Sequence, residues 1–321
     1  MYQKLLFSIA AALGLLIQAA DAEPLKLASP QRGSMESAIP ELGRKNGIFK
    51  KHDIDLDVLF TSGSGETIQA VIAGSVDVGL SAGTIAVFGA HSKGAPIRII
   101  GASQTGSTDT FWYVTSKSPL QHIRDAHDAT IAYSTTGAST HIAVLKFINE
   151  YRLKAKPVGT GNPTATITQL MSGQVDVGWA VAPFQLDAVS RGDVRIIRRA
   201  GDIAAIRGQT IRVQITNTRI LAEKKALLDR YAKAYREALD WLYSSPEAVK
   251  QYMEFSGFSE AAVRRTMAEF ITKESLQPSQ INGIKESMDD ALQFKFLTAP
   301  LSEQQIKELI HILPFPQSTA G

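Results

Sequence analysis

Hydrophobic and polar positions repeat one helix–strand pattern twice along the chain. The segment 67–79 begins with Thr67, and the segment 166–178, which begins with Thr166 99 residues later, has nearly the same sequence. In each segment, apolar residues at helical spacing predict an amphipathic helix, and a glycine follows that suits a helix end. A Val-Asp-Val run then predicts a short strand. The repeat predicts two α/β lobes built on one plan, with two unrelated helix–strand units in one domain as the alternative.

The rest of the chain alternates strand patterns with helix patterns. Runs rich in Val, Ile and aromatic residues predict further strands at 25–28, 54–58, 97–100, 111–115, 130–133, 157–161, 194–197 and 210–216, and the pattern is helical from residue 219 onward. This order indicates an α/β fold with largely parallel sheets, in which ligands bind beyond the carboxyl ends of the strands. We expect a first lobe of residues 23–115 plus 217–321, a second lobe of residues 116–216, and two crossings that act as a hinge.

The N-terminal segment has the features of a secretory signal peptide. Lys4 is followed by an apolar run and then by Ala20-Asp21-Ala22, a small-residue cleavage pattern. The apolar run is too short to span a membrane. We therefore expect residues 1–22 to be a signal peptide and the mature protein to begin at Glu23. Because the chain has no cysteine, it cannot carry a lipid on an N-terminal cysteine, and we expect it to be free in the periplasm.

Composition narrows the possible functions. The chain has 321 residues, a formal net charge of +3 and 44% hydrophobic residues, which is typical of a globular protein. It has no basic run interleaved with aromatic residues, so nucleic acid is not expected as a partner. The absence of cysteine also excludes iron–sulfur clusters, zinc–thiolate sites and cysteine nucleophiles. We find no Gly-x-Ser-x-Gly, His-Glu-x-x-His or Walker motif. We predict no cofactor and no metal site.

Loops at the predicted strand ends are rich in Gly, Ser and Thr. Helix N-termini present free backbone N–H groups and a positive dipole end, so several of them converging on one cleft would bind a small anion. The alternative is that these hydroxyl residues are ordinary helix caps. The candidate ligand-binding residues are Gln31, Arg32, Gly33, Ser62, Gly63, Ser64, Gly65, Ser81, Gly83, Thr84, Thr136, Gly137, Ala138, Ser139, Asn162, Trp179 and Pro183.

Some of these residues have a second possible role. Trp179 either forms an apolar wall of a pocket or belongs to the core. Arg32 either clamps a carboxylate or sulfonate or is an ordinary surface arginine, and Arg212 is a further candidate cation. Asp77 and Asp176 occupy the same place in the two repeats. We expect them to fix the backbone where helix meets strand, rather than to be catalytic.

Several motifs together give a family resemblance. The stretches 47–56, 62–64, 73–79, 94–97 and 172–176 resemble those of the periplasmic substrate-binding proteins of ABC importers for nitrate, taurine and aliphatic sulfonates. The resemblance implies a two-lobed type II periplasmic-binding fold that closes over its ligand, an ABC permease as partner, and a monomer. One departure is at 126–129, where the family often has a Leu-x-Gly-Lys turn and this chain has Ala-His-Asp-Ala.

The resemblance implies a site built from both lobes. The loops at 31–33, 62–65 and 81–84 would line the first lobe's wall, and 136–139, Asn162 and Trp179 would line the second. A small organic anion such as a sulfonate or a carboxylate is the expected ligand. Two alternatives remain: an enzyme of the thiamine-pyrimidine or menaquinone type on the same fold, and a periplasmic sensor.

Overall fold

The computed structural model describes residues 22–318. The predicted signal peptide lies outside these residues except for Ala22. The described strands are β1 (Glu23–Pro30), β2 (Ile54–Thr61), β3 (Val78–Gly83), β4 (Ile97–Thr105), β5 (Thr110–Thr115), β6 (Thr130–Tyr133), β7 (Lys156–Gly159), β8 (Gly178–Val181), β9 (Val194–Arg199) and β10 (Thr210–Asn217).

Helices separate most of these strands and form the C-terminal part of the chain. The α-helices are α1 (Met35–Lys45), α2 (Ile48–Lys51), α3 (Ser64–Ile72), α4 (Thr84–Ser92), α5 (Ser139–Tyr151), α6 (Pro163–Met171), α7 (Leu186–Arg191), α8 (Ala204–Arg207), α9 (Thr218–Glu223), α10 (Lys225–Ser244), α11 (Ala248–Ser256), α12 (Glu260–Arg265), α13 (Ile284–Gln293) and α14 (Glu303–Leu309). A π-helical turn covers Thr266–Phe270, and 3₁₀ turns cover Ile123–Asp125, Ala200–Asp202 and Lys273–Leu276. Within residues 22–318, no helix is both long and apolar enough to span a membrane.

The strands form a five-stranded, a three-stranded and a two-stranded sheet. The first sheet has the order β2-β1-β3-β10-β4, with β10 antiparallel to β3 and β4. In the second region, β5 is antiparallel to β8 and β9, while β6 and β7 form a parallel pair. A parallel bridge between Ile131 and Val177 joins that pair to the strand run that contains β8. The predicted α/β class and its mostly parallel sheets are confirmed.

We call the part built on β1–β4 and β10 the first lobe, and the part built on β5–β9 the second lobe. The predicted boundaries each miss one strand. β5 pairs in the second region, although we expected residues up to 115 in the first lobe, and β10 pairs in the first sheet, although we expected residues up to 216 in the second. The chain therefore crosses at residues 106–109 and 200–209. Strand patterns indicate which residues form strands, but not which sheet a crossing strand joins.

The long C-terminal helix α10 packs on the helices of the first lobe. Tyr231 of α10 packs against Phe49 of α2, with ring centroids 6.4 Å apart. Gly43 of α1 faces Ala238 so closely that a Cβ at residue 43 would lie 2.7 Å from the Ala238 methyl. This covers one face of the first sheet with helices and leaves the carboxyl ends of its strands directed toward the second lobe.

Candidate ligand-binding site

The two repeated aspartates hold corresponding points of the two lobes. A carboxylate oxygen of Asp77 accepts a hydrogen bond from the Lys26 N–H of β1 at 2.9 Å, and Asp77 also pairs with Lys224 at 2.9 Å. Asp176 accepts from the Thr130 N–H of β6 at 2.7 Å. Each aspartate ties the turn after its helix to the neighbouring parallel strand. This confirms that they fix the backbone.

Paired threonines shape the turns that follow β2 and β7. The hydroxyls of Thr61 and Thr67 lie 2.7 Å apart, and those of Thr160 and Thr166 are also 2.7 Å apart. Each pair links the end of a strand to the first turns of the next helix. Because both pairs are buried, the two turns are held in equivalent positions facing the gap between the lobes.

The predicted loops of the two lobes touch directly at the centre of this gap. Within the first lobe, the Ser64 hydroxyl accepts from the Gly83 N–H at 2.7 Å, and across the gap the Thr135 hydroxyl accepts from the Gly65 N–H at 3.3 Å. A Cβ at residue 83 would lie 2.7 Å from the Gly137 carbonyl oxygen. Glycine is therefore required at residue 83 for the lobes to approach. In this structure Gly83 faces the opposite lobe's backbone, where we had predicted a ligand.

A cavity of about 270 Å³ opens beside this contact, between the ends of β1 and β2 and the loops of the second lobe. The first lobe contributes Gln31, Arg32, Phe60, Thr61 and Ser62. The second lobe contributes Asn162, Pro163, Thr164 and Phe184. The structure therefore brings four predicted ligand residues from both lobes to one cavity: Gln31, Arg32, Ser62 and Asn162.

Arg32, the positively charged residue of this cavity, lies against aromatic rings. The Arg32 guanidinium carbon is 5.4 Å from the ring centroid of Phe60 and 5.4 Å from that of Phe255. Within residues 22–318, no carboxylate lies within ion-pair distance of Arg32. A ring face orients a guanidinium without neutralising it. The full positive charge therefore remains available to an anion.

The opposite wall combines a helix N-terminus with an aromatic contact between the lobes. Asn162 caps α6, and its side-chain oxygen accepts from the Ala165 N–H at 2.8 Å. Phe184 of the second lobe packs edge-on against Phe258 of the C-terminal region, with centroids 5.0 Å apart. The positive end of α6 adds to the field of Arg32, and the phenyl rings give the same cavity an apolar side.

Other predicted residues lie elsewhere. Trp179 is 1% exposed, and its indole N–H donates to the Thr160 hydroxyl at 3.0 Å. It belongs to the core of the second lobe, so the apolar-wall alternative is wrong in this structure, and the Phe60 and Phe184 rings fill that role. Pro183, joined to Ala182 by a cis peptide bond, is buried in the same lobe.

The remaining predicted residues line other spaces or are covered. Gly33 lies under Phe258 and Ser256. Thr84, Gly137 and Ser139 border a void of about 20 Å³, and Gly65 and Thr136 border an outer groove of about 450 Å³. Gly63 faces Thr135, and Ala138 caps α5 and is buried.

A buried charge cluster adjoins the site on the first lobe. The Arg212 guanidinium of β10 donates to Glu36, Asp109 and Gln104, and it lies 2.5 Å from Asp109. Burial raises the pKa of Glu36 above its usual value, although Arg212 opposes this shift. Burial disfavours the charge of Arg212, but Asp109 and Glu36 outweigh this effect and raise the pKa of Arg212.

The cluster changes the interpretation of one predicted cation. Arg212, a candidate anion clamp from the sequence, pairs with two carboxylates, so its positive charge is already neutralised. Sequence reasoning missed Glu36 and Asp109, because nothing local to either residue indicates a partner more than 100 positions away. Ser81 lies beside Glu36 in the buried part of the cluster, with a backbone φ of 55°.

A buried ion pair also joins the two lobes. Lys146 of α5 lies 2.5 Å from Asp290 of α13, and the two side chains are only 11% and 9% exposed. The Asp290 carboxylate also accepts from the Gln209 side-chain amide at 3.2 Å. Separating the lobes would break this pair and expose both charges to water. Within the described residues, no group of three or more possible metal ligands is found.

A protein-family model described as NMT1/THI5 like matches residues 41–249. The chain belongs to the NMT1/THI5-like family. No curated protein sequence matches the chain. The type II periplasmic-binding fold is nevertheless found in solved structures that superpose over most of the chain.

Three similar structures illustrate the range of proteins with this fold. The alkanesulfonate-binding protein SsuA from Xanthomonas axonopodis pv. citri, bound to MOPS, is 18% identical with a TM-score of 0.77, covering 92% of this chain and 100% of that one. The periplasmic nitrate-binding protein NrtA from Synechocystis PCC 6803 is 11% identical with a TM-score of 0.69, covering 90% and 86%. The desulfurization enzyme DSZB is 16% identical with a TM-score of 0.60, covering 87% and 95%. At these identities the matches show the fold alone.

Proposed function

We propose that this protein is the periplasmic solute-binding component of an ABC importer and captures a small organic anion between its lobes. The observation that carries the proposal is the cavity of about 270 Å³, which has residues from both lobes and whose cation, Arg32, has no carboxylate partner among residues 22–318. Helix α6 begins at the same cavity and adds positive potential. No negatively charged side chain of the described residues lines it. Such a site favours anions.

Closure of the lobes over the ligand is part of the proposal. The chain crosses between the lobes at 106–109 and 200–209, and Gly106, with a φ of +73°, lies in the first crossing. Hinges form where a few residues can absorb backbone rotation. The buried Lys146–Asp290 pair and the Gly83–Gly137 approach stabilise a closed arrangement. A ligand that contacts both walls of the cavity would shift the lobes toward this arrangement, because it binds the closed form better.

The resemblance and the similar structures support transport more than catalysis. Two of the three similar structures are solute-binding proteins for sulfonate and nitrate, and they suggest an inner-membrane permease as the partner. The third is an enzyme. The described lining of the cavity consists of an arginine, amides, hydroxyls and apolar side chains, with no histidine, lysine or carboxylate to move a proton. A sensor that presents the loaded lobes to a receptor would use the same site.

A ligand screen tests the proposal. Thermal unfolding and titration calorimetry would compare organic sulfonates, carboxylates and nitrate with sugars and organic cations. A ligand at one hundred times its dissociation constant should raise the free energy of unfolding by about 2.7 kcal/mol. We expect at least one anion to do so, without being turned over on incubation. Binding of only sugars or cations would refute the anion site, and turnover of a bound anion would favour an enzyme.

A further inference from the structure

The cavity has a second chemical character besides its charge. Phe60 reaches it from β2 of the first lobe, and Phe184 reaches it from the loop after β8 of the second lobe. Pro163 adds another apolar surface beside Phe184. The apolar surface therefore comes from both sides of the cleft, whereas the charge comes from the first lobe alone through Arg32.

The aromatic rings near the cation form two separate pairs. Phe60 lies 5.9 Å from Phe255, with the two ring planes inclined at 39°. Phe184 and Phe258 form an edge-on pair 5.0 Å apart. A Cβ placed at Gly33 would lie 3.5 Å from ring carbon Cε2 of Phe258, so the Arg32 loop also contacts this second pair. A guest that enters beside Arg32 therefore meets ring surfaces on two sides.

The size of the cavity limits which anions can use both features. Its volume of about 270 Å³ far exceeds the roughly 30 Å³ that one water occupies in the liquid. A bare oxyanion such as nitrate would contact Arg32 and leave the phenyl surfaces in water. An anion with a flat apolar body would cover them and gain the offset or edge-on ring contacts that aromatic pairs prefer.

We propose that the ligand is an aromatic monoanion, with a sulfonate or carboxylate at Arg32 and a planar ring between Phe60 and Phe184. This inference rests on the proposed function and specifies its ligand class. The acidic group pairs with the guanidinium in the plane of its N–H donors. The amide of Gln31 and the hydroxyl of Ser62 lie on the same wall and supply further donors. The ring occupies the side of the cavity that Pro163 and the two phenyl groups form.

Matched pairs of small anions separate the two parts of the inference. Calorimetry would compare benzenesulfonate with methanesulfonate, and benzoate with acetate. We expect the aromatic member of each pair to bind about tenfold or more tightly, because it buries the phenyl surfaces. Equal affinities within each pair would overturn the aromatic inference and leave the anion site standing. If neither member binds and only uncharged or cationic solutes do, both the inference and the proposed function fail.

Variants locate the site. Arg32→Gln should weaken all four anions about tenfold to a hundredfold, and Arg44→Gln, which removes an exposed arginine of α1, should not. Phe60→Leu and Phe184→Leu should each reduce the aromatic preference severalfold. Leu59→Gln, a change on the neighbouring residue that is 51% exposed, is their control. Thermal unfolding of each unliganded variant checks that it is folded. An aromatic preference unchanged in both phenylalanine variants would place the ring elsewhere and overturn the inference.

Discussion

The turn before α1 and the turn before α5 correspond at a shift of 104 positions. Gly33 and Gly137 both have positive φ, at +98° and +81°. The Gly33 N–H donates to the Ser37 hydroxyl at 3.1 Å, and the Gly137 N–H donates to the His141 Nδ1 at 3.2 Å. The same backbone turn is thus closed by a hydroxyl in the first lobe and by an imidazole in the second.

The next position shows how the two lobes differ. Glu36, before Ser37, is buried and pairs with Arg212 of β10. Thr140, before His141, is also buried, but its hydroxyl accepts from the Ser134 N–H at 3.0 Å and forms no ion pair. One scaffold therefore holds a charge cluster in the first lobe and a neutral hydroxyl network in the second. The backbone scaffold and the side-chain chemistry that it carries therefore vary independently.

The largest expected effect comes from the charge cluster. Arg212→Met should lower the free energy of unfolding by about 3–5 kcal/mol, because it leaves Glu36 and Asp109 buried without a cation. Trp179→Phe, at the end of the repeated strand in the second lobe, removes one hydrogen bond to Thr160 and should cost about 1 kcal/mol. Urea unfolding at pH 7 measures both. Arg212→Lys keeps the charge, so its free energy of unfolding should lie between those of the wild type and Arg212→Met. A loss below about 1 kcal/mol for Arg212→Met would show that the cluster is not energetically coupled.

The repeated aspartates also differ between the lobes, and we expect a smaller effect on stability from them. Asp77 is 6% exposed and binds both Lys26 N–H and the Lys224 ammonium, whereas Asp176 is exposed. Asp77→Ala should cost about 2–3 kcal/mol and Asp176→Ala about 1 kcal/mol, because losing a buried acceptor leaves donors unsatisfied. The corresponding Asn variants keep an acceptor and should cost less in each case. Equal losses in the same urea experiment would contradict the difference in burial.

The smallest expected effect depends on pH. Burial lowers the pKa of His141 from 6.5 to about 4, while the ring stacks on Tyr133 at 4.2 Å. As the pH falls below about 6.5, the unfolded chain binds a proton at this position before the folded chain does, so stability decreases until about pH 4. His141→Ser installs the residue of the first lobe and removes this titration. Because the ring is only partly buried, we expect the free energy of unfolding of His141→Ser to fall by about 1–2 kcal/mol less than that of the wild type between pH 7 and pH 4.

Urea unfolding of the wild type and His141→Ser at pH 7, 5.5 and 4 provides the measurement. Subtracting the two curves removes the carboxylates that titrate in both proteins. A difference that stays constant across this range would contradict the lowered pKa. A difference that widens in favour of the wild type at low pH would reverse the sign and imply that the folded protein prefers the charged imidazole.

The sequence allowed the fold to be predicted where its residues repeat. Segments 67–79 and 166–178 have nearly the same sequence. This similarity predicted both helix–strand units and the backbone-fixing role of Asp77 and Asp176. The turns before α1 and α5 were not recognised as equivalent, because Ser37 and His141 have unlike side chains that accept the same hydrogen bond. Equivalence of contacts without equivalence of residues is not visible in a single sequence.

The sequence indicated part of the site that we propose. The strand-end loops carrying Gln31, Arg32, Ser62 and Asn162 were identified, because polar and glycine residues at those ends follow from the α/β arrangement. Of the two alternatives for Trp179, the structure shows the core position. Phe60 and Phe184 have no local pattern that distinguishes them from core residues, and their shared cavity depends on the relative position of two lobes that only the tertiary structure defines.

Anomalous diffraction from crystals grown with 4-bromobenzenesulfonate tests the central claim most directly, because the bromine marks the ring and the density marks the acid. We expect one dominant bromine peak between the Phe60 and Phe184 rings, with the sulfonate about 3 Å from the Arg32 guanidinium. A dominant peak in the outer grooves of either lobe, with the cavity between the lobes empty of ligand, would contradict it.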